Sequence, residues 1–136
     1  MRVFDSGATR DSDDDKLDFE GFFSPVVLLR YGEYMHQHRL QSDGSLRASD
    51  NWQRGVPRAQ YLKSLLRHTL DLWLLHRGHP ARDTLENTLC AIIFNAMGYL
   101  HETLLASDAS ERACADGGNA HLYYPSCDDF EHWRHE

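Results

Sequence analysis

The feature that most constrains the fold is the run from Pro57 to Leu75. Tyr61, Leu62, Leu65, Leu66, Leu70, Trp73 and Leu74 recur there at helical spacing. Leu72 and Leu75 widen that face nearly all round. A helix apolar on so many sides must be covered on more than one of them. Pro57 suits a first helical turn, and Gly78 and Pro80 stop the segment.

Two further helices are marked in the same way. Ser24 is placed to accept from exposed amides as an N-cap, and Pro25 fits the first helical position. Val26, Val27, Leu29, Tyr31 and Tyr34 follow, thickened by Leu28 and Met35, and this helix runs to about Arg39. Residues 41–55 are polar, with turn glycines Gly44 and Gly55, and read as a loop. Asp83 or Thr84 starts the third helix. Its core stripe is Leu85, Leu89, Ile92, Ile93, Ala96, Met97 and Leu100, and it fades near Ser107. Residues 1–20 read as extended or loosely ordered, and the run Asp13-Asp14-Asp15 as a solvated face.

These segments predict an all-α fold: a small bundle of three main helices over residues 1–107, followed by an acidic, less regular C-terminal extension over 108–136. Three helices with such wide apolar faces rarely close alone, so the bundle is expected to be completed by a homo-oligomer.

With 136 residues the chain is about one domain. No run approaches the ~18 consecutive apolar residues of a membrane span, and the polar, acidic start is unlike a signal peptide. Three cysteines suit reduced thiols in a cytoplasmic setting. The net charge of −7 disfavours tracking duplex DNA. Its distribution is uneven: residues 1–29 carry −4, residues 30–82 carry +5, and residues 83–136 carry −8. A cationic middle between acidic ends suits a small anion held with a divalent metal, and equally suits ordinary surface patterning.

Four short stretches occur in one order. They are Phe4-Asp5-Ser6-Gly7-Ala8-Thr9-Arg10-Asp11 with Lys16-Leu17-Asp18-Phe19; Asn51-Trp52-Gln53-Arg54-Gly55-Val56-Pro57; Ser64-Leu65-Leu66-Arg67-His68; and Phe94-Asn95-Ala96 on a helix with an acidic start. Together they resemble a phage-borne family of dATP/dGTP diphosphohydrolases, loosely related to the MazG-like all-α nucleotide pyrophosphohydrolases. The resemblance covers roughly residues 4–102. It implies Mg²⁺-dependent cleavage of a (deoxy)nucleoside triphosphate, purine deoxynucleotides favoured, to the monophosphate and pyrophosphate. It carries over Lys16, Asn51, Trp52, Arg67, His68, Glu86 and Asn95, and for a phage protein it implies the host cytoplasm. MazG-like enzymes place Glu-x-x-Glu on one helix and Glu-x-x-Asp on another, where this chain has Glu33-x-x-His36 and Asp83-x-x-Glu86.

Each candidate also has a plainer reading. Asp83 and Glu86, at i and i+3, share a helix face and suit Mg²⁺, with Glu33 added from a facing helix; the same pair is a capping box. Arg67 can grip a phosphate, and His68 can move a proton with Asp71 one turn on to orient it; the three also make an ordinary surface set. Trp52 can stack on a base while Asn51 reads its edge, or Trp52 can plug the end of the bundle. Lys16 can meet a triphosphate or pair with Asp18. Asn95, mid-helix among apolar neighbours, is either a substrate contact or an interhelical hydrogen bond that fixes register. His36 and His38 do not share a face. Cys114, Cys127, His132 and His135 are zinc ligands by type but lack the short Cys-x₂₋₄-Cys spacing.

With the resemblance, the expectation is a pyrophosphohydrolase whose catalytic set is His68, Arg67 and Lys16. Asn51, Trp52 and Asn95 bind substrate, and Glu33, Asp83 and Glu86 hold Mg²⁺. The alternative is a phage protein that binds or sequesters a nucleotide without cleaving it. A helical oligomer that contacts another protein through its acidic tail is a third reading.

Overall fold

The computed structural model describes residues 1–115. Among them are four α-helices and one two-stranded sheet, so the fold is all-α in its essentials. The chain divides into two compact units, Met1–Ser49 and Asp50–Glu136.

The first unit is built from short local elements. Strands β1 (Arg2–Val3) and β2 (Thr9–Arg10) pair antiparallel, Arg2 opposite Arg10 and Val3 opposite Thr9. Gly7 turns between them at φ 82°, its amide donating to the Phe4 carbonyl at 2.8 Å. Asp18 caps the single turn α1 (Phe19–Phe22) by accepting from the Gly21 amide at 3.0 Å. Helix α2 (Pro25–Gln37) begins as its sequence requires: the Ser24 hydroxyl accepts from the Val27 amide at 3.3 Å, and Pro25 occupies the first turn. Tyr34 is the buried residue of α2, and its ring lies 4.0 Å from that of His38. The stretch expected as a plain loop contains a small hairpin in which Leu40 pairs with Leu46 around a turn closed by Asp43 and Ser45.

The second unit is a helical hairpin. A 3₁₀ turn, Asn51–Arg54, leads through Gly55 (φ 109°) into α3 (Arg58–His76). Helix α3 ends in a Schellman motif: the His79 amide donates to the Leu74 carbonyl at 2.9 Å and that of Gly78 to Leu75 at 3.0 Å. Gly78 takes the left-handed φ of 79° that this cap needs. Helix α4 (Leu85–Ala115) continues past Ser107, where its apolar stripe fades. Its N-cap is Thr84, whose hydroxyl accepts from the Asn87 amide at 3.3 Å. The extension beyond Ala115, including Cys127, His132 and His135 of the zinc-type set, lies outside the described residues, as does the side chain of Cys114.

Helix α3 packs along α4. The contact is closest where Tyr61 lies on Gly98: a Cβ at position 98 would come within 2.3–2.9 Å of three ring atoms. The buried residues of α4 are Thr88, Cys90, Ala91, Asn95 and Gly98. This face is only in part the one that apolar periodicity selects: Tyr61 is buried and Leu65, Leu74, Ile92 and Met97 are half-buried, but much of each stripe turns outward. Leu62, Leu66, Leu70 and Trp73 of α3 are exposed, Leu66 by 61% and Trp73 by 59%. Leu85, Leu89, Ile93 and Leu100 of α4, expected in the core, are exposed as well. The two helices meet through small and polar groups because Gly98 and Ala91 let the backbones approach closely, which the bulky stripes do not. Helix α4 also contains Leu85–Glu111, long and apolar enough by length and composition to cross a membrane. A count of uninterrupted apolar residues does not show this, because polar residues are spaced through the segment.

Candidate functional site

On α4, Thr88, Asn95 and Glu102 stand at intervals of seven residues, about two helical turns, and so share one face. Thr88 is 1% and Asn95 4% exposed. The Thr88 hydroxyl oxygen and Glu102 Oε1 are buried and have no hydrogen-bond partner among the described residues. On α3, Tyr61, His68 and Asp71 fall on one face in the same way, and Asp71 is 5% exposed. The interior of the hairpin is thus lined with polar groups in a helix pair whose outer faces are apolar. Buried polar atoms without partners are costly, and such a concentration marks the hairpin interior as the candidate site.

Asp71 does not orient His68. Its carboxylate is gripped by Arg82, in the link before α4: Nε of Arg82 donates to Oδ2 at 3.0 Å and Oδ1 at 3.3 Å, and Nη2 to Oδ2 at 2.6 Å. This fork holds the Asp71 carboxyl below the usual carboxylate range. His68 Nδ1 lies 3.9 Å from Asp71 Oδ2, beyond hydrogen-bond reach. Burial, and then the nearby Arg82 charge, push the His68 pKa down. The ring is therefore neutral near pH 7 and able to accept a proton.

At the far end of the hairpin, Trp52 lies with its ring centroid 4.9 Å from that of His101 and 6.3 Å from that of Phe94. Its carbonyl accepts from the Tyr61 hydroxyl at 3.3 Å. Tyr61 in turn meets Phe94 edge-on at 5.9 Å. Burial, and then the Glu102 charge, raise the Tyr61 pKa. Trp52 and Asn51 are half-buried, so Trp52 packs against the middle of α4 while keeping part of its surface outward.

The remaining predicted residues are dispersed. Asn95 Nδ2 donates to the Ala91 carbonyl of its own helix at 2.7 Å, a bond within α4, not the interhelical bond expected for register. Arg67 is exposed and donates to the Ser64 hydroxyl at 2.9 Å. Lys16, in the first unit, pairs with Asp13 at 3.1 Å, not with Asp18, which caps α1. Asp13 is also paired with Arg2, and these two cations lower its pKa.

The three carboxylates expected for Mg²⁺ are not one set within either unit. Glu33 is exposed on α2 in the first unit, and Asp83 and Glu86 belong to the second. Asp83 Oδ1 accepts from the Thr84 amide at 2.7 Å and from Asn87 Nδ2 at 3.0 Å, so it supports the helix start, one residue before the cap proper. Glu86 is exposed in the first turn of α4. Among the described residues no three His, Cys, Asp or Glu side chains gather in a group able to hold a metal ion.

Sequence reasoning missed Arg82, Thr88, Glu102 and the part played by Tyr61. Arg82 sits where only a helix stop was visible. The seven-residue recurrence of Thr88, Asn95 and Glu102 along an apolar helix was the signal that could have found the line. No family model matches this chain, and neither a curated protein nor a solved structure matches it.

Proposed function

We propose that the chain binds a (deoxy)nucleoside triphosphate, a purine deoxynucleotide by preference, and hydrolyses it to the monophosphate and pyrophosphate. The observation that supports this reading is the polar hairpin interior, with a neutral His68 and a partly exposed Trp52 at its mouth. Trp52 offers a stacking surface for a base, and Asn51 on the same turn its edge contacts. A water that attacks the α-phosphorus loses its proton to the His68 imidazole, the bridging oxygen leaves with pyrophosphate, and the imidazolium returns the proton to solvent. Arg67 answers the charge that grows on the phosphates. Asn95, buried on the polar line and bonded to the Ala91 carbonyl, is the further residue proposed to meet a polar group of the substrate. Mg²⁺, when bound with the triphosphate, neutralises its charge; Glu86 is the carboxylate proposed to meet it. The setting is the cytoplasm, that of the host for a phage protein.

The first test is incubation with Mg²⁺ and each (d)NTP, with products resolved by ion-exchange chromatography. Monophosphate and pyrophosphate, abolished by EDTA, are expected. Glu86→Ala, folded, should lose turnover, and unchanged turnover would remove Glu86 from the site.

A second reading, nucleotide binding without cleavage, is favoured by one observation. Asp71 and Asp83 are both engaged in structural bonds, to Arg82 and to the start of α4. A nucleotide that raises the melting temperature but is recovered intact would establish it.

A further inference from the structure

We infer that the outward face of α3 docks on an anionic lipid surface, with the helix lying in the plane of the interface. The inference does not depend on the nucleotide reading. It starts from how α3 sorts its charges. Leu62, Leu66, Leu70 and Trp73 recur at spacings of three and four, so they form one stripe, and all four are exposed. On the helical wheel Lys63 and then Arg67 flank this stripe on one side, and Arg58 on the other. Arg77 closes its end, with the guanidinium 5.4 Å from the centre of the Trp73 ring. The one acidic residue of α3, Asp71, is on the opposite face, buried and held by Arg82. The outward face therefore shows leucines and cations and no carboxylate.

This arrangement separates the possible covers. A contiguous apolar stripe of this kind is rarely left to water. A second copy set stripe to stripe would bring Lys63 and Arg67 against cations like themselves, and like charges oppose that contact. A surface of anionic headgroups meets both features at once. The leucines and the Trp73 ring enter the boundary between headgroups and acyl chains, a depth that suits tryptophan. The stems of Lys63 and Arg67 lie along the stripe and carry their charges to the phosphates. Arg77 offers its fork to one headgroup. A groove of about 260 Å³ lined by Leu70, Trp73, Leu74, Arg77 and His79 seats the aliphatic part of a lipid beside that charge.

The contact is not a crossing. Helix α3 holds Lys63, Arg67 and Asp71 within its length, more charge than a spanning helix tolerates. Helix α4, packed along it, is thereby kept from crossing as well. Nor does the net charge of −7 oppose docking. Tyr61 meets Gly98, so Lys63 stands near the level of Ala96. The nearest exposed carboxylates of α4, on Glu86 and Asp108, are then roughly 15 Å and 18 Å away along the axis. Charges act over only ~8 Å at physiological salt.

The test is flotation of the full chain with vesicles of phosphatidylcholine alone and of phosphatidylcholine mixed with phosphatidylglycerol. Binding to the mixed vesicles only, lost as salt is raised, is expected. Lys63→Gln, at an exposed position, should weaken it about fivefold, the usual effect of one cation near an anionic surface. Tryptophan emission should shift to the blue on binding, and Trp73→Phe should remove the shift. No binding to the mixed vesicles overturns the inference, as does equal binding to both kinds. Binding that Lys63→Gln and Trp73→Phe both leave unchanged places the lipid elsewhere and overturns it too. Retention on poly-glutamate without vesicle binding would give the face to an acidic protein segment. An oligomer that Leu66→Asp reduces to single chains, again without vesicle binding, would give it to a second copy. Either result sinks the inference.

Discussion

The unit Met1–Ser49 and the hairpin that follows are held together by different means. In the first, order comes from bonds between residues close in sequence: the turn at Gly7, the caps at Asp18 and Ser24, the turn at Asp43, and the pairing of Lys16 with Asp13. Tyr34 is its buried apolar side chain. In the hairpin, order comes from groups far apart in sequence, such as Tyr61 on Gly98 and Trp52 on His101. Local bonds each contribute little and fail independently, whereas a packed interface fails as a unit. The hairpin is therefore the scaffold on which a site can be held.

The largest effect should come from filling the closest approach of the two helices. Gly98→Leu drives a side chain into the Tyr61 ring, and overpacking of this kind costs about 3 kcal/mol. A urea titration read at the helical signal should show the loss. If Gly98→Leu costs no more than a cap deletion in the first unit, the distinction between the units collapses.

The next largest should be Arg82→Gln, which leaves a buried carboxylate without its fork. The Asp71 pKa is lowered in the fold, so its contribution is full above the unfolded carboxylate range and is lost as pH falls. The gap in stability between wild type and Arg82→Gln should thus be wide at pH 7 and narrow toward pH 3. A gap constant with pH would mean that the pair does not act through its charge.

Ser24→Ala should cost about 1 kcal/mol, the usual worth of an N-cap hydroxyl. Its effect is expected in amide exchange of the first turn of α2, while exchange in α3 and α4 stays as it was. Protection lost in both units together would show that they unfold as one body and would break the comparison from the other side.

How much of this was legible follows the same division. The starts of α2 and α3 and the stop after α3 are written in Ser24, Pro25, Pro57 and Gly78, because cap chemistry is local. The β1–β2 pairing was not visible: strands of two residues have no period to read, and Gly7 alone does not declare a hairpin. Periodicity found the stripes of α3 and α4, and Tyr61 among them does turn inward, but it did not show which part of each wide stripe stays outside. A leucine stripe says that something covers it, and the identity of the cover is not a property of the stripe itself. The inward face was set by Gly98 and Ala91, whose small size allows close approach, and by Asn95, whose amide nitrogen is satisfied within its own helix. Of the candidate site, the residue types at Trp52, His68 and Asn95 were readable. The Arg82 clamp was not, since it depends on the link folding back to α3.

The smallest effect is also the one that joins scaffold to chemistry. In the fold, burial and Arg82 keep the His68 pKa below its ordinary value. The unfolded chain therefore takes up a proton near pH 6.5 that the folded chain still refuses. Stability from this source is complete above that pH and is lost as pH falls through the folded pKa. A thermal melt should show the midpoint fall between pH 7 and pH 5, a window above that of Asp71, and the fall should be shallower in His68→Gln. Because Arg82 is one of the causes, Arg82→Gln should ease His68 back toward its ordinary value and flatten the same window, although it destabilises the hairpin at pH 7. Opposite signs from one substitution, in two pH ranges, are not expected of a histidine that merely fills space. If His68→Gln and wild type lose stability in parallel from pH 7 to pH 5, the imidazole is not held neutral by this hairpin, and its place as a proton acceptor goes with it.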